Sequence, residues 1–258
     1  MNYAICLLSS VPIRETISHR SEMVSQLLFG ELCAIVDQYQ EWYKIRVQFD
    51  NYEGWVCKKQ LHVIDEKLYN KIANQAVKTY VNAPSAFVRS KDAEIPVVLG
   101  SSLPFFEDGK FQIGDEIWTL EGDNDYQCSK QTPERVGFWA LKYMKTPYLW
   151  GGRSPFGIDC SGLVQNVFRM CGYALPRDSA QQAERGQVVN LISEIKPGDL
   201  MFFDSAEGQI THVGIFVENN RIIHACGEVR MDKVDQQGIF NADLGSYTHQ
   251  LRVIKRLS

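Results

Sequence analysis

The stretch at residues 151–170, GGRSPFGIDCSGLVQNVFRM, places a cysteine between a turn-rich loop and a segment with helical periodicity. Gly172 predicts the end of that helix, and Asp159 is a typical N-cap residue that puts Cys160 in the first helical turn. The helix would bury one face, because apolar residues recur after the cysteine at Leu163, Val164, Val167, Phe168 and Cys171.

The position of Cys160 has a chemical consequence. Unpaired amides and the helix dipole favour an anion at a helix start, so a thiol there tends to ionise and to become a nucleophile. The alternative interpretation is a small buried cysteine that happens to lie at a helix start. The fragment by itself leaves both interpretations open.

Length and charge narrow the class of protein. A chain of 258 residues is expected to hold two or three domains. Its net charge of -4 provides no electrostatic attraction for nucleic acid or for an anionic membrane, so we expect neither as a partner. The sequence contains no phosphate-binding loop and no dinucleotide fingerprint. We expect no cofactor, and a monomer.

The cysteines and the N-terminus bear on the compartment. Seven cysteines without close pairs suit reduced thiols better than a disulfide framework, and no pair has zinc-ligand spacing, so we expect no metal. The first residues, MNYAICLLSSVPIRE, carry no basic leader, and their apolar run is short for a signal or a membrane span. We expect a cytoplasmic protein, or a periplasmic or exported one if a leader has been trimmed.

Residues 1–65 have the pattern of a small β domain. Side chains alternate between two faces in EWYKIRVQF, and a turn at DNYEG leads into the short strand WVCKKQL. This region resembles a bacterial SH3-like barrel. The resemblance depends on the order of four short elements, Pro12-Ile13-Arg14, Ser21-Glu22, Phe29-Gly30-Glu31 and Gly54-Trp55-Val56.

Two further regions follow. Residues 66–130 begin with a polar helical segment and continue with turns and short apolar runs, which we interpret as a second, divergent SH3-like barrel with a structural role. Residues 131–258 place helices first and strands second, a pattern typical of an α+β domain.

A nucleophilic cysteine needs a base, and two of the five histidines are candidates. His212 and His224 lie in short strands joined across Glu218-Asn219-Asn220, whereas His19, His62 and His249 have no companion motif and are interpreted as surface or satisfied residues. A two-residue loop would place the pair on opposite faces of the hairpin. A three-residue loop pairs Gly214 with His224 and puts the histidines diagonally on one face, about 7–8 Å apart. We predict the three-residue loop or an equivalent bulge.

Four motifs follow one another in residues 131–258: DCSGLVQNVFRMCG, LPRDSAQQAERG, PGDLMFFD and THVGIFVENNRIIHA. Together and in this order they resemble the NlpC-type cell-wall cysteine peptidases, which have a papain-like fold. With the N-terminal region, the whole chain resembles the γ-D-glutamyl-L-diamino-acid endopeptidases, also called dipeptidyl-peptidase VI. The expected fold is therefore an α+β papain-like catalytic domain preceded by two small SH3-like barrels.

The resemblance implies roles for individual residues. The catalytic cysteine of the family falls on Cys160, its base on His212 and its third polar residue on His224. We expect a thiolate–imidazolium pair that attacks an amide carbonyl, with the Cys160 amide as an oxyanion donor. Tyr148 matches an active-site tyrosine and would donate a hydrogen bond or line the pocket with Trp150. Packing is the alternative role for both aromatic residues.

The resemblance also implies how substrate is chosen. A free L-Ala ammonium would be bound by Asp178 of the catalytic domain together with Glu22 and Tyr52 of the first barrel. Helix capping is the alternative for Asp178, and ordinary solvation is the alternative for Glu22. The D-Glu carboxylate would be held by Ser179 and Ser161, with Asp159 as local support.

The function implied by these residues is hydrolysis of the bond between γ-D-Glu and an L-diamino acid in murein peptides with a free N-terminal L-Ala, in cell-wall recycling or uptake. The diamino acid, L-Lys or diaminopimelate, stays open. One alternative is a papain-like amidase or endopeptidase that acts on intact peptidoglycan. Another is a non-catalytic wall-binding module, against which the presence of Cys160, His212 and His224 argues.

Overall fold

The computed structural model describes residues 2–128, 130–204 and 208–257. The chain divides into two compact units, which we call the N-terminal unit and the catalytic unit. The N-terminal unit comprises Met1–Lys130 and Trp150–Pro155, and the catalytic unit comprises Gln131–Leu149 and Phe156–Ser258. The division into domains 1–65, 66–130 and 131–258 stays a prediction.

The first part of the N-terminal unit is an antiparallel sheet in the order β3-β2-β6-β5-β4-β1-β7. Alternation places Ile45 and Val47 in its core and leaves Arg46 exposed, which explains why this segment forms a strand with one buried face. The strands are β1 Asn2–Ile5, β2 Ser10–Arg14, β3 Met23–Leu28, β4 Leu32–Tyr39, β5 Trp42–Val47, β6 Glu53–Cys57 and β7 His62–Ile64. A short 3-10 helix, Lys58–Gln60, precedes β7.

The second part begins with helix α1 (Glu66–Ala73), whose N-terminus is capped by the Asp65 carboxylate accepting from the Leu68 amide. Its strands form a four-stranded sheet, β10-β9-β12-β11, and a two-stranded one, β13-β8. The bounds are β8 Lys78–Val81, β9 Ser85–Arg89, β10 Glu94–Val98, β11 Lys110–Ile113, β12 Glu116–Leu120 and β13 Asp125–Cys128. A second SH3-like barrel in this part stays a prediction.

One hydrophobic core joins the two parts of the N-terminal unit. Phe29 of the first part packs edge-on against Phe111 and Trp118 of the second, with ring centroids 6.0 and 5.8 Å away. Ile5 and Ile64 belong to the same buried cluster. The two parts therefore bury apolar surface together, which is consistent with their forming one compact unit.

The catalytic unit confirms the predicted α+β organisation. Its helices are α2 Val136–Leu141, α3 Cys160–Met170 and α4 Ser179–Gln182, with 3-10 turns at Pro133–Arg135 and Ile192–Glu194. Helix α3 packs on the strands Ile210–Phe216 and Arg221–Cys226, and the apolar residues that define its periodicity are buried. Its last residue is Met170, Cys171 is the C-cap, and Gly172 follows in the left-handed region (φ 84°), as the sequence predicts.

Six strands of the catalytic unit close into a barrel. The sheet order is β16-β22-β17-β18-β19-β20-β21, and β22 also pairs with β21. The strands of this unit are β15 Gly157–Ile158, β16 Gln187–Val188, β17 Leu200–Asp204, β18 Ile210–Phe216, β19 Arg221–Cys226, β20 Glu228–Val234, β21 Gly238–Asn241 and β22 Ser246–Arg256. The six strands from β17 to β22 form the barrel. The remaining short strand, β14 (Arg153–Ser154), belongs to the N-terminal unit.

Candidate active site

The nucleophile candidate lies where the sequence predicts it, at the first residue of α3. The Asp159 carboxylate accepts a hydrogen bond from the Gly162 amide at 2.7 Å and so caps the helix. The Cys160 thiol is buried, and the backbone of Val213 and of Ser161 acts to lower its pKa. Val213 follows His212 directly, which puts the thiol beside the strand that carries the candidate base.

The histidine hairpin has the predicted register. Gly214 pairs with His224, and the Val217 amide donates to the Arg221 carbonyl across the three-residue loop. Asn219 and Asn220 adopt positive φ angles of 59° and 54°, the conformation that such a loop needs. The prediction that both histidines lie on one face is confirmed.

The two imidazoles form part of a longer chain of hydrogen bonds. His212 Nε2 lies 2.8 Å from His224 Nδ1, and His224 Nε2 lies 3.0 Å from Asp232 Oδ2. Arg230 holds the same carboxylate, with Nε 2.8 Å from Oδ2 and Nη2 donating to Oδ1 at 2.9 Å. Burial acts to raise the pKa of Asp232, but the hydrogen bonds from His224 and Arg230 outweigh it and leave the pKa lowered.

Asp232 and Arg230 are missing from the residues that the sequence analysis selects. A signal for them exists, because Gly227 marks a turn after the second histidine strand and the segment EVRMDKV alternates. Extending the hairpin register by one strand would pair His224 with Arg230, as the structure does. Asp232, two residues further on, then falls on the same face.

His249, interpreted from the sequence as a surface or satisfied residue, has its Nδ1 2.9 Å from the Thr248 hydroxyl and also contacts the histidine pair, which the sequence did not indicate. Its ring stacks on the ring of His212, with centroids 4.2 Å apart and an interplanar angle of 29°. Burial lowers the pKa of His249 to about 4, and the nearby His224 acts in the same direction. The sequence does not indicate this contact, because His249 lies on β22, which is brought near His212 by its long-range pairing with β17. That pairing shifts register between Phe202 and Phe203, so alternation along β22 does not predict the position of His249.

Burial sets the protonation of the free site. It raises the pKa of Cys160 to about 12, an effect that the adjacent Asp159 adds to, and it lowers the pKa of His212 well below its usual value. Both directions favour a neutral thiol and a neutral imidazole over the thiolate–imidazolium pair that the sequence analysis expects.

A buried arginine completes the surroundings of the nucleophile. Arg177 donates to both oxygens of Asp159, at 3.0 and 2.6 Å, and to the Ser161 hydroxyl at 2.8 Å. The sequence analysis names Asp159 and Ser161 as substrate-binding candidates but overlooks Arg177, which lies inside the motif LPRDSAQQAERG. The cluster places a cation beside the residues predicted to hold a carboxylate.

Asp178 and Ser179 lie at the start of α4. Asp178 occupies the N-cap position, yet its side chain makes no capping hydrogen bond, so the alternative role in capping is absent from the structure. Burial raises the pKa of Asp178. A carboxylate that is half-buried and not used as a cap suits a cationic ligand.

Tyr148 lies in the electrostatic environment of the nucleophile. Burial raises the pKa of its hydroxyl to about 12, and Cys160 is the next contributor. The ring is partly exposed, as a residue lining a pocket would be. The role of Tyr148 in the pocket stays a prediction.

The other predicted binding residues lie in the N-terminal unit. The Trp150 indole donates a hydrogen bond to the Glu22 carboxylate, and its ring is 59% exposed. Gly151 has φ 75°, and a Cβ there would lie 2.1 Å from the Met23 carbonyl oxygen, so only glycine allows this close approach. Tyr52 packs against the core of the first sheet. Trp150 and Glu22 are thus brought together.

Within residues 2–128, 130–204 and 208–257, no helix has both the length and the apolar character needed to cross a membrane. All seven cysteines fall inside these ranges, and each is a free thiol.

Two family models match this chain. The NlpC/P60 family model matches residues 145–247, a range that includes Cys160, His212 and His224. The model for the bacterial dipeptidyl-peptidase Sh3 domain matches residues 13–61, within the predicted first barrel.

Curated relatives extend the match over most of the chain. A gamma-D-glutamyl-L-lysine dipeptidyl-peptidase from Bacillus subtilis is 31% identical over 218 residues, which cover 78% of this chain and 71% of the relative. A protein of the same name from Bacillus cereus is 25% identical over 233 residues, covering 81% and 69%.

Solved structures agree on the fold. An NlpC/P60 family protein from Bacillus cereus superposes with a TM-score of 0.83 at 18% identity, covering 98% of this chain and 99% of the other. An NlpC/P60 endopeptidase from Photobacterium damselae superposes with a TM-score of 0.72 at 18% identity, covering 97% and 70%.

Proposed function

Because the chain belongs to the NlpC/P60 family of cysteine peptidases, we propose that Cys160 is its nucleophile, His212 its general base and His224 the residue that orients the base. The observation that carries this assignment is the buried Cys160 thiol at the capped start of α3, a helix that packs on the strand carrying His212. The bond between His212 and His224 at 2.8 Å supports the third role.

The reaction follows from these positions. The Cys160 sulfur attacks the carbonyl carbon of the scissile amide, and His212 accepts the thiol proton. His212 then protonates the leaving amine as the C–N bond breaks, which leaves a thioester on Cys160. Water hydrolyses the thioester and restores the thiol.

The proposed substrate is a murein peptide with a free N-terminal L-Ala, cut between γ-D-Glu and the L-diamino acid to release L-Ala-γ-D-Glu. The two Bacillus relatives bear the name of a gamma-D-glutamyl-L-lysine dipeptidyl-peptidase, which supports this substrate class. Asp178, a half-buried carboxylate that does not cap its helix, is the proposed partner of the L-Ala ammonium. Cell-wall recycling is the proposed setting.

Two substrates test this specificity. L-Ala-γ-D-Glu-L-Lys and its N-acetylated form are incubated with the protein, and the products are followed by mass spectrometry. Acetylation removes the charge that Asp178 would bind, so we expect hydrolysis at least about 100-fold slower, the scale of a lost charged contact. Comparable rates on both peptides would identify a broader endopeptidase, such as one that acts on intact peptidoglycan. The predicted roles of Glu22 and Tyr52 are tested with the same pair, since each alanine variant should narrow the difference.

A matched pair of cysteine variants tests the nucleophile. Cys160→Ala should abolish hydrolysis, whereas Cys171→Ala, at the other end of the same helix, should retain it. Circular dichroism on both variants checks that the fold is kept. Activity in the Cys160→Ala protein would reject the assignment.

A further inference from the structure

The chain of hydrogen bonds that ends at Asp232 restricts where the protons on the two histidines can lie. An ionised carboxylate only accepts hydrogen bonds. Asp232 Oδ2 lies 3.0 Å from His224 Nε2, so that nitrogen must carry a proton. The opposite arrangement would point a nitrogen lone pair at a carboxylate oxygen, which is repulsive.

The position of the proton on His224 also determines where the proton on His212 lies. A neutral imidazole carries one N–H, so His224 Nδ1 is left with a lone pair and can only accept. His212 Nε2, 2.8 Å away, must therefore donate to it. The free lone pair of His212 then lies on Nδ1, the one ring nitrogen left to take a proton from a thiol.

We infer that Asp232 is a positioning residue that fixes the tautomers of His224 and His212, so that His212 presents an unprotonated Nδ1 as the base. The inference rests on the proposed function, since it takes His212 as the general base. Asp232 acts through His224, to which it is hydrogen-bonded.

Burial and charge make Asp232 able to do this. The carboxylate and His224 are both almost fully buried, so water does not compete for their hydrogen bond. Arg230 contacts both oxygens of Asp232 and keeps the carboxylate ionised. Arg230 also bonds Asp243, whose side chain is largely exposed.

The direct test is ¹⁵N NMR of the histidines, of which the chain has five. The Cys160→Ala protein, labelled with ¹⁵N-histidine, should show His212 and His224 with protonated Nε2 and unprotonated Nδ1. Asp232→Ala in the same background should mix the tautomers of both rings. Asp232→Asn, whose amide oxygen can still accept from His224, should shift them less. A protonated Nδ1 on His224, or signals that do not respond to either substitution, would overturn the inference.

Kinetics supply the second readout. In the protein with Cys160 intact, Asp232→Ala should lower kcat on the tripeptide at least about 10-fold with little change in KM, because a misplaced proton removes general-base catalysis. Asp232→Asn should recover part of the loss. Asp243→Asn is the control, since it removes the negative charge of a second Arg230 partner without touching His224, and kcat should stay the same. Equal losses in Asp243→Asn and Asp232→Ala would overturn the inference in favour of a structural role for the Arg230 cluster.

The two readouts separate this inference from the proposed function. The NMR experiment reports the tautomers whether or not the tripeptide is the substrate. If the tripeptide is not cut by the unmodified protein, the substrate proposal fails and the NMR result still decides the role of Asp232.

Discussion

In each unit of this protein an arginine–carboxylate pair is almost fully buried, and the two pairs are chemically alike. In the N-terminal unit Arg153 donates to both oxygens of Glu31 at 2.8 and 3.0 Å. In the catalytic unit Arg177 donates to both oxygens of Asp159 at 3.0 and 2.6 Å. All four side chains are almost fully buried.

The pairs differ in what they hold in place. Arg153 also donates to the Gln26 carbonyl at 2.7 Å and lies over the Phe49 ring, and Glu31 accepts from the Leu28 amide, so this pair fastens the Trp150–Pro155 segment to the first sheet.

The second pair holds the start of α3. Asp159 caps the helix whose first residue is Cys160, and Arg177 also bonds Ser161. Geometry and burial are similar in the two pairs, and the neighbours of each pair indicate that one is structural and that the other lies beside the proposed nucleophile.

Substitution of Asp159 should have the largest effect of the changes predicted here, because it should lower both the stability of the protein and its kcat. Asp159→Leu leaves the Arg177 charge buried without its partner, a loss of about 3–5 kcal/mol, and removes a helix cap worth about 1 kcal/mol. The residual folded protein should also lose at least about 100-fold in kcat, because a displaced helix start misplaces the sulfur. Urea unfolding and the tripeptide assay measure the two effects.

Asp159→Asn is the matched variant for this prediction. Asparagine caps helices as well as aspartate does, so the cap is kept while the ion pair is weakened. Its loss of stability should be the smaller of the two. If Asp159→Leu keeps full activity per folded molecule, then the Arg177–Asp159 pair contributes only to stability, as the Arg153–Glu31 pair does, and the proposed difference between the pairs is wrong.

Removing Glu31 should reduce stability by a similar amount without the catalytic loss. Glu31→Leu leaves Arg153 buried and unpaired, which destabilises by about 3–5 kcal/mol. The kcat of the folded protein should be retained, because the hydrogen bonds of Glu31 with Arg153 and with the Leu28 amide lie within the N-terminal unit. Hydrogen exchange should place the loss of protection in the N-terminal unit. Protection lost around α3 instead would contradict the structural role given to this pair.

Replacing both residues of an ion pair should separate the effect of the pair on stability from its effect on activity. A buried ion pair exchanged for apolar residues of similar volume is often neutral or stabilising. Glu31→Leu/Arg153→Met should therefore recover most of the stability lost in Glu31→Leu. Asp159→Leu/Arg177→Met should recover stability in part but leave kcat low, because the cap and the Ser161 contact stay lost. Recovery of activity in the second double variant would show that the charges near Cys160 are dispensable.

The two pairs also show how far the sequence can predict this molecule. The start of α3 was predictable because Asp159, Cys160 and the apolar spacing lie within a few residues of one another. The hairpin was predictable because Asn219 and Asn220 specify their own loop.

Other contacts leave no comparable local pattern. Arg153 and Glu31 are 122 positions apart in the sequence, and neither lies in a motif that pairs them. His249 stacks on His212 through the order of strands in a closed barrel. Side chains that meet through strand order or long loops depend on tertiary packing, which local propensity does not encode. Asp232 is intermediate, since alternation places it on the right face once the next strand is recognised.

The smallest predicted effect is on the pH dependence of stability, to which His249 of the catalytic unit contributes. Arginine does not lose its proton in proteins, so any dependence on mild acid that separates the units must come from groups such as the buried histidines. Burial lowers the pKa of His249 to about 4 from 6.5; His224 acts in the same direction and Asp232 opposes it. Between about pH 4 and 6.5 the unfolded chain therefore binds more protons at this position than the folded one, so acidification destabilises the fold.

His249→Phe should keep the stacking on His212 and remove this dependence. The difference in urea midpoint between about pH 5 and pH 7 should become smaller in the variant, with His212 accounting for part of what is left, because burial lowers its pKa as well. His62→Phe, at an exposed position on β7, controls for the substitution itself. If the urea midpoint changes as much between about pH 5 and pH 7 in His249→Phe as in the unmodified protein, then His249 is not held in its neutral form in the folded protein. The acid sensitivity of the catalytic unit would then arise from other groups.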